Sequence, residues 1–513
     1  MKIICCFTLI LISTTGFSQS TLWGNLEKNH NVGFISLSTY DYSRSAIFDQ
    51  DMTGKVRGTA DLSPGRQMRI SVWYPSASDG KKMTYADYLN ELANEIDFTE
   101  VTDLKRSQVL DKVVALYRDY QRNDTFSKEN LMKLMRIEME SVRNAKPQKG
   151  KFPLLIFPHW FSPMDGAIMS EYVASQGFVV ATTSMKGTDS VSPEITARGL
   201  EAISADINFI INQLSSLSYV DVTRVAVMGV GFNATGALAA MKDASSIDAF
   251  VSLDGGIITI SEMQMFQQRG DVNLLSLAKP MLFINAPHPS VKPELADFFK
   301  YSDRHYITYS KMSEYYFLNN GMLESIVPGI IGTPPGDVKA GFQSAARNVS
   351  NFLKYALKED PTAKGALEAP ESEDVKKSFK KGAPKPPDLH QWKVICATEG
   401  AKGLREVYKT FSATDNHPMT QAVFADLFSW LAFGRDDGLT IRNTLLELWT
   451  ETYPKSSRAA FAQARLLTSQ NKKNQAEEFY RKALLLLPDD DDIYFDNTIR
   501  MRIQVAANEA LRN

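Results

Sequence analysis

The stretch Val225-Ala226-Val227-Met228-Gly229-Val230-Gly231-Phe232-Asn233-Ala234-Thr235-Gly236 passes from a buried-strand run directly into a helical one. Small residues stand where the backbone must bend hard between the two. Working outward, seven further short runs rich in Val, Ile, Leu and Phe read as strands: Gly33–Ser38, Met68–Trp73, Leu154–Pro158, Phe178–Thr183, Ala249–Leu253, Met281–Asn285 and Tyr306–Tyr309. Helical patterns fall at Asp165–Ser175, Pro193–Leu217, Ala234–Lys242, Pro293–Tyr301 and Val338–Lys358. Strand and helix alternating in this way predict an α/β fold with right-handed crossovers and a mostly parallel eight-stranded sheet covered on both faces. The first two runs lack a helix between them and are expected to form an antiparallel lead-in.

The chain has 513 residues, 44% of them hydrophobic and 23% charged, which is globular composition with room for two to four domains. Lys and Arg number 57 against 59 Asp and Glu, a net charge of -2 that offers no footprint for phosphate backbones, so no nucleic-acid partner is expected. At the start, Lys2 precedes the apolar run Ile3–Ile12, and Gly16, Ser18 and Ser20 follow at signal-peptidase spacing. Residues 1–20 read as a cleaved signal peptide, and the protein as exported, periplasmic or secreted. About ten apolar residues fall short of the roughly twenty that a membrane span needs, so no membrane span is expected. Cys5 and Cys6 leave with the signal, and the remaining Cys396 cannot form an internal disulfide.

Residues 21–360 read as the sheet domain, interrupted at Thr84–Arg143 by a helical insertion rich in Glu, Lys, Leu and Met without strand signal. Residues 361–388, with Pro370, Pro384, Pro386 and Pro387 among lysines and acidic residues, read as a linker. Residues 389–513 are helical in pattern. Ala464, Ala476, Tyr480, Ala483 and Pro488 occupy the small, small, aromatic, small and terminating positions of a 34-residue helix-turn-helix unit, and Pro454 precedes Pro488 by one period. This region resembles a tetratricopeptide repeat. Its upstream unit is degenerate, with Trp430 and Arg442 at small-residue positions, and a generic helical bundle is the competing reading.

Phe152-Pro153-Leu154-Leu155-Ile156-Phe157-Pro158-His159, the run Tyr172-Val173-Ala174-Ser175-Gln176-Gly177-Phe178-Val179-Val180-Ala181, and Arg69-Ile70-Ser71-Val72-Trp73-Tyr74-Pro75 together resemble the α/β-hydrolase branch that contains platelet-activating-factor acetylhydrolases and dienelactone hydrolases. That resemblance implies an α/β-hydrolase sheet, an ester- or acyl-hydrolase ancestry and a Ser-His-Asp triad whose serine sits in a G-x-S-x-G elbow. Position by position, the elbow nucleophile falls on Gly231, which has no side chain and cannot attack a carbonyl. The elbow's closing glycine is Asn233. The triad acid falls on Asp254, which reads equally well as a strand-end carboxylate accepting backbone N–H bonds. The histidine position falls near Glu314, and no histidine lies between His305 and His390. For the oxyanion hole the Phe232 N–H is kept, whereas the family glycine after His159 is Trp160, which crowds the cleft.

His159, Lys186, Asp189, Asp254, His288 and Glu314 all follow strands on the face where such a sheet carries its chemistry. No metal site and no cofactor are expected of them, since imidazoles and carboxylates at loop ends are more often capping groups. The expected function is therefore that of an exported α/β-hydrolase-like protein, inactive as a serine hydrolase. Such a protein binds a small molecule in the former cleft, or a protein or peptide at the C-terminal helices. The alternative is an active ester or acyl hydrolase with a relocated nucleophile, Ser190 or Ser310, served by His159 or His288.

Overall fold

The computed structural model describes residues 22–512 apart from 24–25, 45–64, 96–97, 99, 120–122, 161–162, 189, 191–193, 270–276, 290, 414–416, 433–437 and 491–496. The proposed signal segment and Asp189 lie outside the described residues. One sheet organises the N-terminal two thirds. Its strands are β1 (Asn31–Asp41), β2 (Arg66–Ser76), β3 (Lys82–Thr84), β4 (Glu138–Arg143), β5 (Phe152–Ile156), β6 (Val179–Thr182), β7 (Val220–Val230), β8 (Ile247–Leu253), β9 (Met281–Asn285), β10 (Arg304–Tyr309) and β11 (Val375–Lys380). They lie in the order β11-β10-β9-β8-β7-β5-β6-β2-β1-β4-β3.

From β1 to β10, with β3 and β4 set aside, this is the order 1-2-4-3-5-6-7-8, with β2 antiparallel to both of its neighbours and β5 to β10 all parallel. That is an α/β-hydrolase-type sheet, with the expected antiparallel lead-in at β1 and β2. Helices α1 (Tyr85–Ala93), α2 (Asp103–Asp119), α3 (Lys128–Met135), α4 (Ala167–Ser175), α5 (Ala197–Leu214), α6 (Phe232–Asp243), α7 (Ile260–Arg269), α8 (Asn320–Leu323), α9 (Val338–Lys358) and α10 (Pro361–Glu368) complete this part. Alternate residues of the buried strands feed two cores. Leu155, Met228, Val251 and Leu282 pack beneath α4 and α9, whereas Leu154, Val227, Phe250 and Phe283 pack beneath α5 and α6.

Three strands correct the expectation of eight. The insertion contributes β4, parallel to β1, and β3 pairs with β4. β4 was hidden because only Met139 and Ser141 of its six residues are buried. The stretch 361–388 is no plain linker: α10 packs on α9, and β11 adds to β10 in antiparallel register from Val375↔Tyr309 to Lys380↔Arg304. Its half-buried Val375, Lys377 and Phe379 alternate with exposed residues, as suits an edge strand. Pro293–Phe298 is a 3-10 turn in place of a full α-helix.

The C-terminal part is all α: α11 (Leu389–Thr398), α12 (Gly400–Ser412), α13 (Gln421–Trp430), α14 (Gly438–Thr452), α15 (Ser457–Ser469), α16 (Lys473–Leu486) and α17 (Asn497–Arg512). It has its own core around Trp392, Phe424 and Trp449. Ala464, Ala476 and Tyr480 meet in the α15–α16 seam, where Ala507 of α17 also packs. Cys396 is buried. No helix among the described residues is long and apolar enough to cross a membrane.

Candidate functional site

β7 ends in a turn whose pivot, Gly231, has φ +52° and ψ −128°, immediately before α6 begins at Phe232. This is the sharp strand-to-helix elbow that the sequence suggests, in a conformation disfavoured for a residue carrying Cβ. The Gly231 N–H donates to the Leu253 carbonyl (3.0 Å) and its own carbonyl accepts from Ala234 N–H (3.0 Å). The neighbouring β8 exit presses close: a Cβ on Gly255 would stand 2.0 Å from the Gly231 oxygen. Asn233 is buried and donates from Nδ2 to the Pro158 carbonyl at 3.3 Å, which fastens the first turn of α6 to the end of β5.

Asp254 leaves β8 in the left-handed region at φ +57°. Its N–H donates to the Ile284 carbonyl (2.8 Å), and its Oδ1 accepts the Ala286 N–H (3.1 Å). The strand-end capping role is thus realised. Burial nevertheless pushes its carboxyl up to about 6, against the lowering effect of the Ala286 N–H and His288.

Glu314 opens a short 3-10 turn after β10. Its carboxyl reaches the elbow itself, for a Cβ built on Gly231 would meet Glu314 Oε1 at 2.1 Å and Cδ at 3.3 Å. The residue is half-buried, and its carboxyl makes no hydrogen bond among the described residues. Burial, followed by repulsion from Asp254 and Glu262, pushes it up to about 7. The structure therefore brings Gly231, Asp254 and Glu314 together from three separate loops.

The loop that presents Asp254 is braced by Glu262 of α7, which sequence reasoning missed. Its carboxylate accepts Gly256 N–H (3.2 Å), Ile258 N–H (3.1 Å), Thr259 N–H (2.9 Å) and the Thr235 hydroxyl (2.6 Å), and so ties the β8 exit to α6. The pattern Thr259-Ile260-Ser261-Glu262 is a capping box, and it was the available signal.

Of the other predicted residues, Phe232 adjoins the elbow and His288 acts on Asp254 through its charge, whereas His159, Lys186 and Ser310 sit in surroundings of their own. His159 is buried, packs edge-on against Phe157 (3.9 Å between ring centres) and presses on Gly166, where a Cβ would lie 1.9 Å from Nε2. Desolvation pulls it down to about 3, and its Nε2 has no hydrogen-bond partner. His288 is exposed and lines a hollow of about 420 Å³ with Asn285, Ala286, Pro287 and Thr308. Trp160 is half-buried beside His159, and Phe232 is half-buried at the start of α6. Lys186 is sealed from solvent against Glu95, with Nζ 3.5 Å from Oε2. Burial pushes Glu95 up to about 7 and Lys186 downward. Ser310 donates to Asp374 Oδ1 at 3.1 Å on the surface. No group of three or more His, Cys, Asp or Glu residues among the described residues could hold a metal ion.

No protein-family model matches the chain, and no curated protein matches it. Among solved structures it is similar to a ferulic acid esterase from Streptomyces cinnamoneus, at 17% identity and a TM-score of 0.48, over 68% of this chain and 96% of that one. The α/β-hydrolase-type fold stands on the strand order itself.

Proposed function

We propose that this is an exported protein of the platelet-activating-factor acetylhydrolase and dienelactone hydrolase-like branch that has lost serine-hydrolase chemistry and works by binding. Its ligand would be a small molecule in the former cleft, and its tetratricopeptide-like helices would offer a contact surface for a protein or peptide. One observation carries this reading: the elbow keeps its backbone, but the space for a nucleophilic side chain at Gly231 is taken by the Glu314 carboxyl. A serine hydrolase needs a hydroxyl there and an imidazole beside it. The test is labelling of the mature chain with a fluorophosphonate, which reacts with activated serines. The reading expects no covalent adduct; an adduct on any serine would sink it.

A second reading, an ester or acyl hydrolase with a relocated reactive group, is favoured by the same carboxyl. Ser310 is held by Asp374 and His159 is walled in by Phe157 and Gly166, so neither serves that reading well. Glu314 is the group that stands at the nucleophile's place.

A further inference from the structure

Glu314 is unusual among the acidic groups around the elbow. Asp254 and Glu262 are both held by backbone N–H groups, as structural carboxylates are. The Glu314 carboxyl has no hydrogen bond among the described residues, yet its Oε1 sits within a bond length or two of where a serine Oγ would be. The elbow delivers a second element to the same point: Phe232 opens α6, and backbone N–H groups in the first turn of a helix have no partner within it and point beyond its start. A carbonyl oxygen accepting from the Phe232 N–H would lie beside Gly231, whose side-chain space the Glu314 carboxyl fills.

We propose that Glu314 is the general base of a water-driven ester hydrolysis at the vacant elbow. This rests on the second of the two readings above. The Glu314 carboxylate removes a proton from a water molecule as the water oxygen bonds to the acyl carbon. The carbonyl electron pair moves onto its oxygen, which accepts a hydrogen bond from Phe232 N–H. Collapse of the tetrahedral adduct breaks the bond to the alkoxy oxygen, which takes the proton back from Glu314. The products are a carboxylic acid and an alcohol, nothing is oxidised or reduced, and no acyl-enzyme forms. Gly231 is then a requirement of the site, because any larger residue would displace the base.

The groups facing Glu314 are Asp254, after β8, and Glu262, on α7, both of which raise its proton affinity. Its proton is accordingly lost near neutral pH, where a base is most effective.

The experiment follows hydrolysis of 4-methylumbelliferyl acetate by the full mature chain against pH, beside Glu314→Gln, Glu314→Asp and Asp254→Asn, with circular dichroism and Tm confirming folding. The expected result is a rate that rises through a midpoint near 7 and falls about 100-fold or more in Glu314→Gln, within the usual range for losing a general base. Partial activity should remain in Glu314→Asp, and the midpoint should move down in Asp254→Asn, where a like charge is gone. Hydrolysis unchanged in Glu314→Gln would overturn the role of Glu314 while leaving a relocated reactive group elsewhere. No hydrolysis above buffer would remove both the inference and the second reading, and leave the binding protein. Transfer of heavy oxygen from labelled water into the Glu314 carboxyl in a single turnover would show direct nucleophilic attack and overturn the general-base assignment.

Discussion

Gly231 and Glu314 share one volume, so substitution at either is felt at the other. Gly231→Ser alone should not create an esterase. Its side chain would require a φ near +52° and would collide with Glu314 Oε1, costing about 1–3 kcal/mol from the backbone alone. Urea unfolding should show the loss, and Gly231→Ser combined with Glu314→Ala should recover the part due to collision. The carboxyls also set a pH dependence. Asp254 and Glu314 titrate in the fold at about 6 and about 7, above their ordinary values, so the folded state holds protons that the unfolded chain has released. Their contribution to stability is full below about pH 4 and is lost as pH rises to about 7. Glu314→Gln should accordingly raise Tm at pH 8 relative to wild type and leave it little changed at pH 4, as read by calorimetry. Gly231 and Asp254 were legible in the sequence, because a strand-to-helix turn and a strand-end carboxylate are local features. The reach of Glu314 was not, since it depends on where the turn after β10 comes to rest in space.

Among the elements, the insertion shows how a surface addition is fastened to a sheet. Glu95, just past α1, meets Lys186, just past β6, where neither is exposed. Taking away one partner strands a buried charge, so Glu95→Ala should destabilise the chain by about 3–5 kcal/mol in urea. Glu95→Leu with Lys186→Met should restore most of that, because apolar replacement of a buried pair is often neutral. The strands that were legible, β5, β6, β9 and the inner end of β7 above all, are buried on both faces and read as short, mostly apolar runs. β11 was not, because Val375-Lys376-Lys377-Ser378-Phe379-Lys380 carries its charges on the sheet's rim, where composition mimics a linker. Glu262 escaped notice for a similar reason. Its capping box starts a helix that follows a loop and carries little apolar periodicity.

For the whole molecule, two sets of cores, one around the sheet and one in the helices, predict different outcomes for two truncations. A chain ending at Pro387 keeps β11 and should stay folded and free of aggregates by circular dichroism and size exclusion. One ending at Asp360 loses both α10, which packs on α9, and β11, so it uncovers apolar surface, leaves the β10 edge unpaired and should associate or precipitate. Aggregation of the longer chain would show that the helices α11–α17 cover the sheet domain. The attachment through β11 also has a mechanical meaning. Because β11 runs antiparallel to β10 and its Lys380 end leads on to the helices, tension applied at the C-terminus would open its ladder one rung at a time from Lys380↔Arg304 toward Val375↔Tyr309. In an optical trap the sheet's rim should peel at low force before the central strands yield, making β11 a fuse between a tugged helical array and the elbow.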